Sequence, residues 1–244
     1  MEVKMMKVVY WSDYACPYCY IGEARLKKAI RALVAQPLFE FGAPVEVEMK
    51  AFQLDPSAPQ RSTGDTQTRF AHKYGISFEA AGRQIETISR LGRDEGLDFK
   101  YATTLLTNTM DAHRLTKLAQ SKGDSALTER LIEALFAAYF TDNKELADRE
   151  LLQGIGEKVG LDAAEVRDLL SSNRFEAEVR QDELEAAELG IHGVPFFIVA
   201  GRHAISGAQS TEGMKETLLE ALQEQRESSH VELGTACGPE GCAI

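Results

Sequence analysis

The stretch Trp11-Ser12-Asp13-Tyr14-Ala15-Cys16-Pro17-Tyr18-Cys19-Tyr20-Ile21-Gly22 decides how this chain reads. Before it, Lys7-Val8-Val9-Tyr10-Trp11 is short, apolar and β-prone, and reads as a strand. After it, Ile21 to Val34 reads as a helix, with Leu26, Ile30, Leu33 and Val34 at helical spacing along one apolar face. Pro17 stands where a first helical residue belongs, because its missing N–H costs nothing there. Cys16 and Cys19 are therefore held at a strand-to-helix junction. The free N–H groups and the dipole of a helix's first turn favour an anion, and thiols placed there in Cys-x-x-Cys motifs ionise more readily than free cysteine. Cys16 is the candidate thiolate. Cys19, one turn deeper, is expected to face it within bonding reach and to be more buried. In that arrangement the first thiol attacks and the second resolves the mixed disulfide. A static disulfide, or half of a zinc site, is the competing reading.

The rest of the composition narrows the choice. The chain has 244 residues, is 44% hydrophobic and carries 27 basic against 38 acidic side chains, a formal charge of −11. That size supports a substantial core. The charge argues against a nucleic-acid surface, which needs a clustered basic face, and against docking to anionic lipid. Met1 to Val9 has lysines without a sustained apolar run, so it does not read as a secretory signal, and no apolar run approaches the ~20 residues of a membrane span. The expected compartment is the cytoplasm. There, paired cysteines are more often catalytic, redox-sensing or metal-binding than structural. The four cysteines make two close pairs at opposite ends of the chain, Cys16 with Cys19 and Cys237 with Cys242.

Beyond the first helix, Val45-Glu46-Val47-Glu48-Met49-Lys50-Ala51-Phe52 alternates apolar and charged residues as a half-buried strand does. A right-handed crossover makes it a parallel neighbour of the first strand. From Ser62 to Gly190 the pattern is helical: Thr66–Tyr74, Phe78–Glu95, Thr109–Lys122, Ser125–Thr141, Arg149–Val159, Ala163–Ser171 and Phe175–Leu189. Gly75, Gly96, Gly123, Gly160 and Gly190 follow helix ends, and Asn108, Asp124, Asp148 and Asp162 are candidate N-caps. Phe196-Phe197-Ile198-Val199-Ala200 reads as a strand buried on both faces, and His203-Ala204-Ile205-Ser206 as its antiparallel partner. Thr211–Gln225 is a final helix, and Arg226 to Ile244 a polar tail.

In sum the chain resembles the thioredoxin superfamily, in its DsbA-like branch, and more narrowly the FrnE-like group of thiol–disulfide oxidoreductases. The residues that carry this are Ser12 to Gly22, Asn108-Thr109-Met110-Asp111-Ala112-His113-Arg114-Leu115, and Gly193-Val194-Pro195-Phe196-Phe197. The resemblance implies an α/β chain: a thioredoxin fold from residues 1–55 and 186–226, a large all-helical insertion domain over 56–185, and a tail over 227–244. It makes Cys16 the nucleophile and Cys19 the resolving thiol. Pro195 matches the cis-proline that faces the disulfide and presents the Val194 backbone to a bound peptide. Cys237 and Cys242 resemble a second redox pair. Gly238, Pro239 and Gly241 between them favour a tight turn, and about 10 extended residues after the last helix would span ~33 Å, enough to exchange with Cys16 and Cys19.

The expected function is thiol–disulfide oxidoreduction on protein or small-molecule thiols and disulfides, with reduction or shuffling favoured and no metal or organic cofactor needed. One rival is a glutathione-dependent transferase or isomerase of the kappa-like group, where a serine usually holds the nucleophile position. The other is a zinc-binding, redox-sensing module using all four cysteines. Asp13 is placed either to assist proton transfer to Cys19 or to cap a turn. The five histidines are scattered, without ligand spacing. Asp111 and His113 read as helix packing and hydrogen bonding, and His192 as an ordinary histidine near Pro195.

Overall fold

A computed structural model describes residues 5–35 and 45–234. Its centre is a four-stranded sheet in the order β2-β1-β3-β4, built from β1 (Met6–Ser12), β2 (Val45–Ala51), β3 (Phe196–Val199) and β4 (His203–Ser206). β1 pairs with β2 in parallel, from Met6 opposite Val45 to Ser12 opposite Ala51, and with β3 antiparallel, from Val8 opposite Val199 to Trp11 opposite Phe196. The β3–β4 hairpin turns through Ala200 and Gly201, both at positive φ (51° and 72°), and Arg202 N–H bonds back to Val199 O at 3.1 Å. Two left-handed central residues suit the twist of a tight hairpin.

The strand period sorts β1's side chains. Met6, Val8 and Tyr10 join Leu26, Ala29 and Leu33 of α1 (Pro17–Val34), together with Met214 and Leu218 of α9 (Thr211–Gly234). Trp11 faces the other way, with Ala186 and Ile191. Between β2 and β3 lie α2 (Thr66–Tyr74), α3 (Phe78–Asp94), a single 3₁₀ turn (Tyr101–Thr103), α4 (Met110–Gln120), α5 (Ser125–Phe140), α6 (Arg149–Val159), α7 (Ala163–Ser171) and α8 (Glu176–Glu188). α8 backs the sheet: Asp182 Oδ2 accepts from Ala51 N–H at 2.7 Å, and its carbonyl accepts from the Trp11 indole at 2.9 Å. One cluster of buried side chains runs from Tyr10 through Tyr14 and Tyr20 to Leu115, Leu131 and Phe136, so sheet and helical block share a core.

The helix punctuation follows the sequence closely. Asp124, Asp148 and Asp162 each accept N–H bonds from the first turn that follows, and Gly75 and Gly160 end α2 and α6 in the left-handed region. Asn108 differs from expectation. The N-cap of α4 is Thr109, without a side-chain bond, while Asn108 Oδ1 accepts from Met110 N–H at 2.9 Å.

Two further expectations are corrected. β3 is not buried on both faces: Phe197 and Val199 are buried, but Phe196 and Ile198 are only partly covered. The apolar cover on that side is thin, because α8 is polar along most of its length. The last helix does not stop at Gln225 but continues to Gly234. Glu224-Gln225-Arg226-Glu227 are good helix formers and no breaker intervenes before Gly234. Cys237 and Cys242 lie outside the described residues.

Candidate active site at the start of the first helix

Cys16 is the N-cap residue of α1, with extended backbone (φ −91°, ψ 116°), and Pro17 opens the helix. A turn fixes the approach: Cys16 N–H donates to Asp13 O at 3.0 Å. Only 4% of Cys16 is exposed, and its thiol donates to Val194 O at 3.5 Å. The Val194–Pro195 peptide is cis. Pro195 O in turn accepts from Gly207 N–H at 2.8 Å, which ties the proline loop to the end of β4. Gly22 allows this closeness. A Cβ there would stand 3.0 Å from Pro195 Cγ and 3.3 Å from Phe197 Cζ, so these side chains would have to give by a few tenths of an ångström. The structure thus places the Cys16 thiol against the carbonyl of the cis Val194–Pro195 peptide.

Cys19 is wholly buried, and both cysteines are free thiols. The Asp13 N–H donates to Cys19 Sγ at 3.5 Å. Burial, and then the bond and charge of Cys16, push the Cys19 thiol well above its ordinary pKa; Ser12 and the Asp13 N–H pull the other way. The Ser12 hydroxyl is buried beside this sulfur with no partner of good geometry. The two sulfurs therefore have unequal environments. One caps a helix N-terminus and keeps 4% of its surface exposed, the other has none.

Asp13 is 1% exposed and caps the turn, its carboxylate accepting from Leu54 N–H at 2.8 Å and Ala15 N–H at 3.3 Å. His113 of α4 approaches this carboxylate, with Nε2 3.5 Å from Oδ1. His192 is exposed and joins nothing at the site. The rest of the Asn108–Leu115 stretch does structural work. Asn108 Nδ2 bonds Pro56 O at 2.9 Å, and the buried Arg114 guanidinium reaches Leu169 O at 2.6 Å and Asp111 at 2.6 Å. Tyr101 of the 3₁₀ turn and Tyr139 of α5 both pack on the Phe140 ring, with centroids 5.9 and 4.8 Å away. Burial holds both hydroxyls, and that of Tyr18, above the ordinary tyrosine pKa. No local pattern in the sequence brings the 3₁₀ turn and α5 together. Among the described residues, no three His, Cys, Asp or Glu side chains cluster in a way that could hold a metal ion. No helix among them is long and apolar enough to cross a membrane.

A four-stranded mixed sheet, a helix opening on Cys-Pro-Tyr-Cys and a cis Val194–Pro195 peptide whose Val194 carbonyl meets the first sulfur define a thioredoxin-like protein with a helical elaboration. A family model for the DSBA-like thioredoxin domain matches residues 7–219, and the chain belongs to that family. A solved structure from Streptomyces coelicolor, described as a probable DsbA oxidoreductase (SCO1869), is 35% identical, covers 98% of this chain and 99% of its own, and superposes with a TM-score of 0.79. YwbO of Bacillus subtilis, an uncharacterised protein, is 26% identical over 210 residues, 81% of this chain and 88% of its own length. A 2-hydroxychromene-2-carboxylate isomerase shares the fold at 15% identity, with a TM-score of 0.62 over 93% of this chain and 98% of its own. The same fold thus carries different chemistries, and function has to be argued from the site.

Proposed function

We propose that this chain is a thiol–disulfide oxidoreductase of the FrnE-like group in which Cys16 is the attacking sulfur and Cys19 the resolving one. The observation that carries this reading is the asymmetry of the pair: Cys16 caps α1 against Val194 O while Cys19 is buried one turn behind. A thiolate at Cys16 attacks a substrate disulfide in line, and the substrate's other sulfur leaves with the bonding electrons. Cys19 then displaces the bound sulfur and closes the Cys16–Cys19 disulfide. Val194 and Pro195 hold the substrate's backbone alongside Cys16. The substrates are disulfides and thiols, of proteins or of small molecules. Cys237 and Cys242 serve as a second redox pair that passes electrons to or from the first.

Trapping tests the assignment of roles. A chain carrying Cys19→Ser together with Cys237→Ser and Cys242→Ser, mixed with a disulfide-bonded peptide, is expected to accumulate a stable mixed disulfide on Cys16, seen as a mass increase mapped to the Met6–Leu26 region by digestion. Absence of the adduct, or an adduct on another residue, would overturn the roles given to the two cysteines.

A further inference from the structure

Ser12 closes β1, and its hydroxyl is wholly buried without a hydrogen-bond partner of good geometry. Buried polar side chains are nearly always paired, so this one calls for an explanation. The strand period places it. Met6, Val8 and Tyr10 share a core cluster with Cys19 and Leu26 of α1, and Ser12 continues the same face of β1. Its backbone is held on both sides: Ser12 pairs with Ala51 of β2, and its carbonyl accepts from Phe52 N–H at 3.1 Å. The very next N–H, that of Asp13, donates to Cys19 Sγ at 3.5 Å. Burial raises the Cys19 thiol, and the bond and charge of Cys16 add to this; the groups that pull it down are the Ser12 hydroxyl and the Asp13 N–H. Two donors from consecutive residues thus bear on one buried sulfur.

Cys16 has the open end of α1 to stabilise its anion; Cys19, one turn inside, does not. A thiolate must nevertheless form at Cys19 whenever the pair reacts. We propose, on the thiol–disulfide reading, that the Ser12 hydroxyl and the Asp13 N–H form a two-donor cradle for the Cys19 thiolate, which makes Ser12 a further catalytic residue. In the resolving step the Cys19 proton is lost to solvent, and the sulfur's electron pair forms the bond to Cys16 Sγ. The bond between Cys16 and the substrate sulfur breaks, and the substrate leaves as a thiolate with that bonding pair. In the reverse direction a substrate thiolate attacks Cys16 Sγ of the closed disulfide, and Cys19 leaves with the electron pair. The cradle receives the charge as it develops. Fixed donors aimed at developing charge in a water-poor site need no rearrangement at the moment of reaction, and the β-ladder holds both of these in place.

Ellman's reagent, followed by stopped flow, separates the two sulfurs. In a full-length chain carrying Cys237→Ser and Cys242→Ser, attack by Cys16 releases one coloured thiolate and resolution by Cys19 releases a second. Ser12→Ala in this background is expected to leave the first phase unchanged and to slow the second about tenfold at neutral pH, the scale of one lost hydrogen bond to a charged group. Ser12→Thr keeps a hydroxyl and should return the second phase to within a few-fold of the background chain. Urea unfolding of the reduced chains tells this role from a packing one. Removing a buried hydroxyl that has no partner in the thiol form should leave Ser12→Ala at least as stable as the background chain, although it resolves more slowly. A second phase at the background rate in Ser12→Ala, an equal slowing of both phases, a marked loss of stability, or a second phase in folded Ser12→Thr as slow as in Ser12→Ala would each overturn the proposal. A background chain that gives no first phase at all would instead overturn the thiol–disulfide reading on which it rests.

Discussion

Replacing Cys16 with serine is expected to abolish reduction of insulin disulfides, leaving a rate at the uncatalysed background. The expectation follows from where the sulfur sits. Cys16 is the cap residue of α1, with the first-turn N–H groups open to an anion and no side-chain cap competing for them. Cys19 is no substitute, because it has no exposed surface. A hydroxyl at position 16 keeps the size of the side chain and the hydrogen bond to Val194 O, so the fold should persist while the nucleophile is lost. The same substitution separates the reading from its main rival. If a bound glutathione thiol performed the reaction, the serine variant would remain active when glutathione is supplied. Activity within a few-fold of the parent chain would therefore exclude Cys16 as the reacting group.

The second large effect concerns stability rather than chemistry. Glu23 on α1 is 3% exposed, and burial raises its carboxyl to about 7, against a smaller downward pull from Lys27 at 2.9 Å. The Lys27 ammonium is shared with Glu133 at 2.7 Å and Glu129 at 3.2 Å; burial works against its charge, but the carboxylates overcome it and raise it. An unfolded glutamate titrates near 4.3. Between that value and about 7 the folded chain binds more protons than the unfolded one, so stability falls as pH rises through this window and levels off above it. The expected loss is about 3 kcal/mol. Glu23→Gln removes the titrating group while leaving Lys27 its other two carboxylates. The variant should match the parent near pH 5 and exceed it by about 3 kcal/mol near pH 8 in urea unfolding. An equal difference at both pH values would show that the buried carboxyl does not titrate between the two states.

Much of this architecture was legible in the chain because local signals were strong. α2, α6, α7 and β4 begin and end where caps and periodicity placed them. Cys16, Pro17 and Cys19 announce a helix N-terminus through a single short motif. The cis-proline came from the family resemblance rather than from spacing. What remained hidden depends on packing between distant segments. Nothing local to His113 indicates that α4 lays it against Asp13, because the two are 100 residues apart and meet only when the helical block closes on the sheet. The meeting of Tyr101 and Tyr139 on Phe140 is hidden for the same reason. α9 continues to Gly234 because the polar residues after Gln225, which read as a tail, suit a solvent-facing helix equally well.

The account rests on an inequality between two sulfurs, and limited alkylation measures it directly. The reduced full-length chain is treated with less than one equivalent of iodoacetamide at neutral pH, and the label is located by mass spectrometry. Cys16 is expected to carry the label while Cys19 stays unmodified. Equal labelling of the two, or labelling of Cys19 first, would contradict the claim that Cys16 is the attacking sulfur and Cys19 the sealed partner behind it.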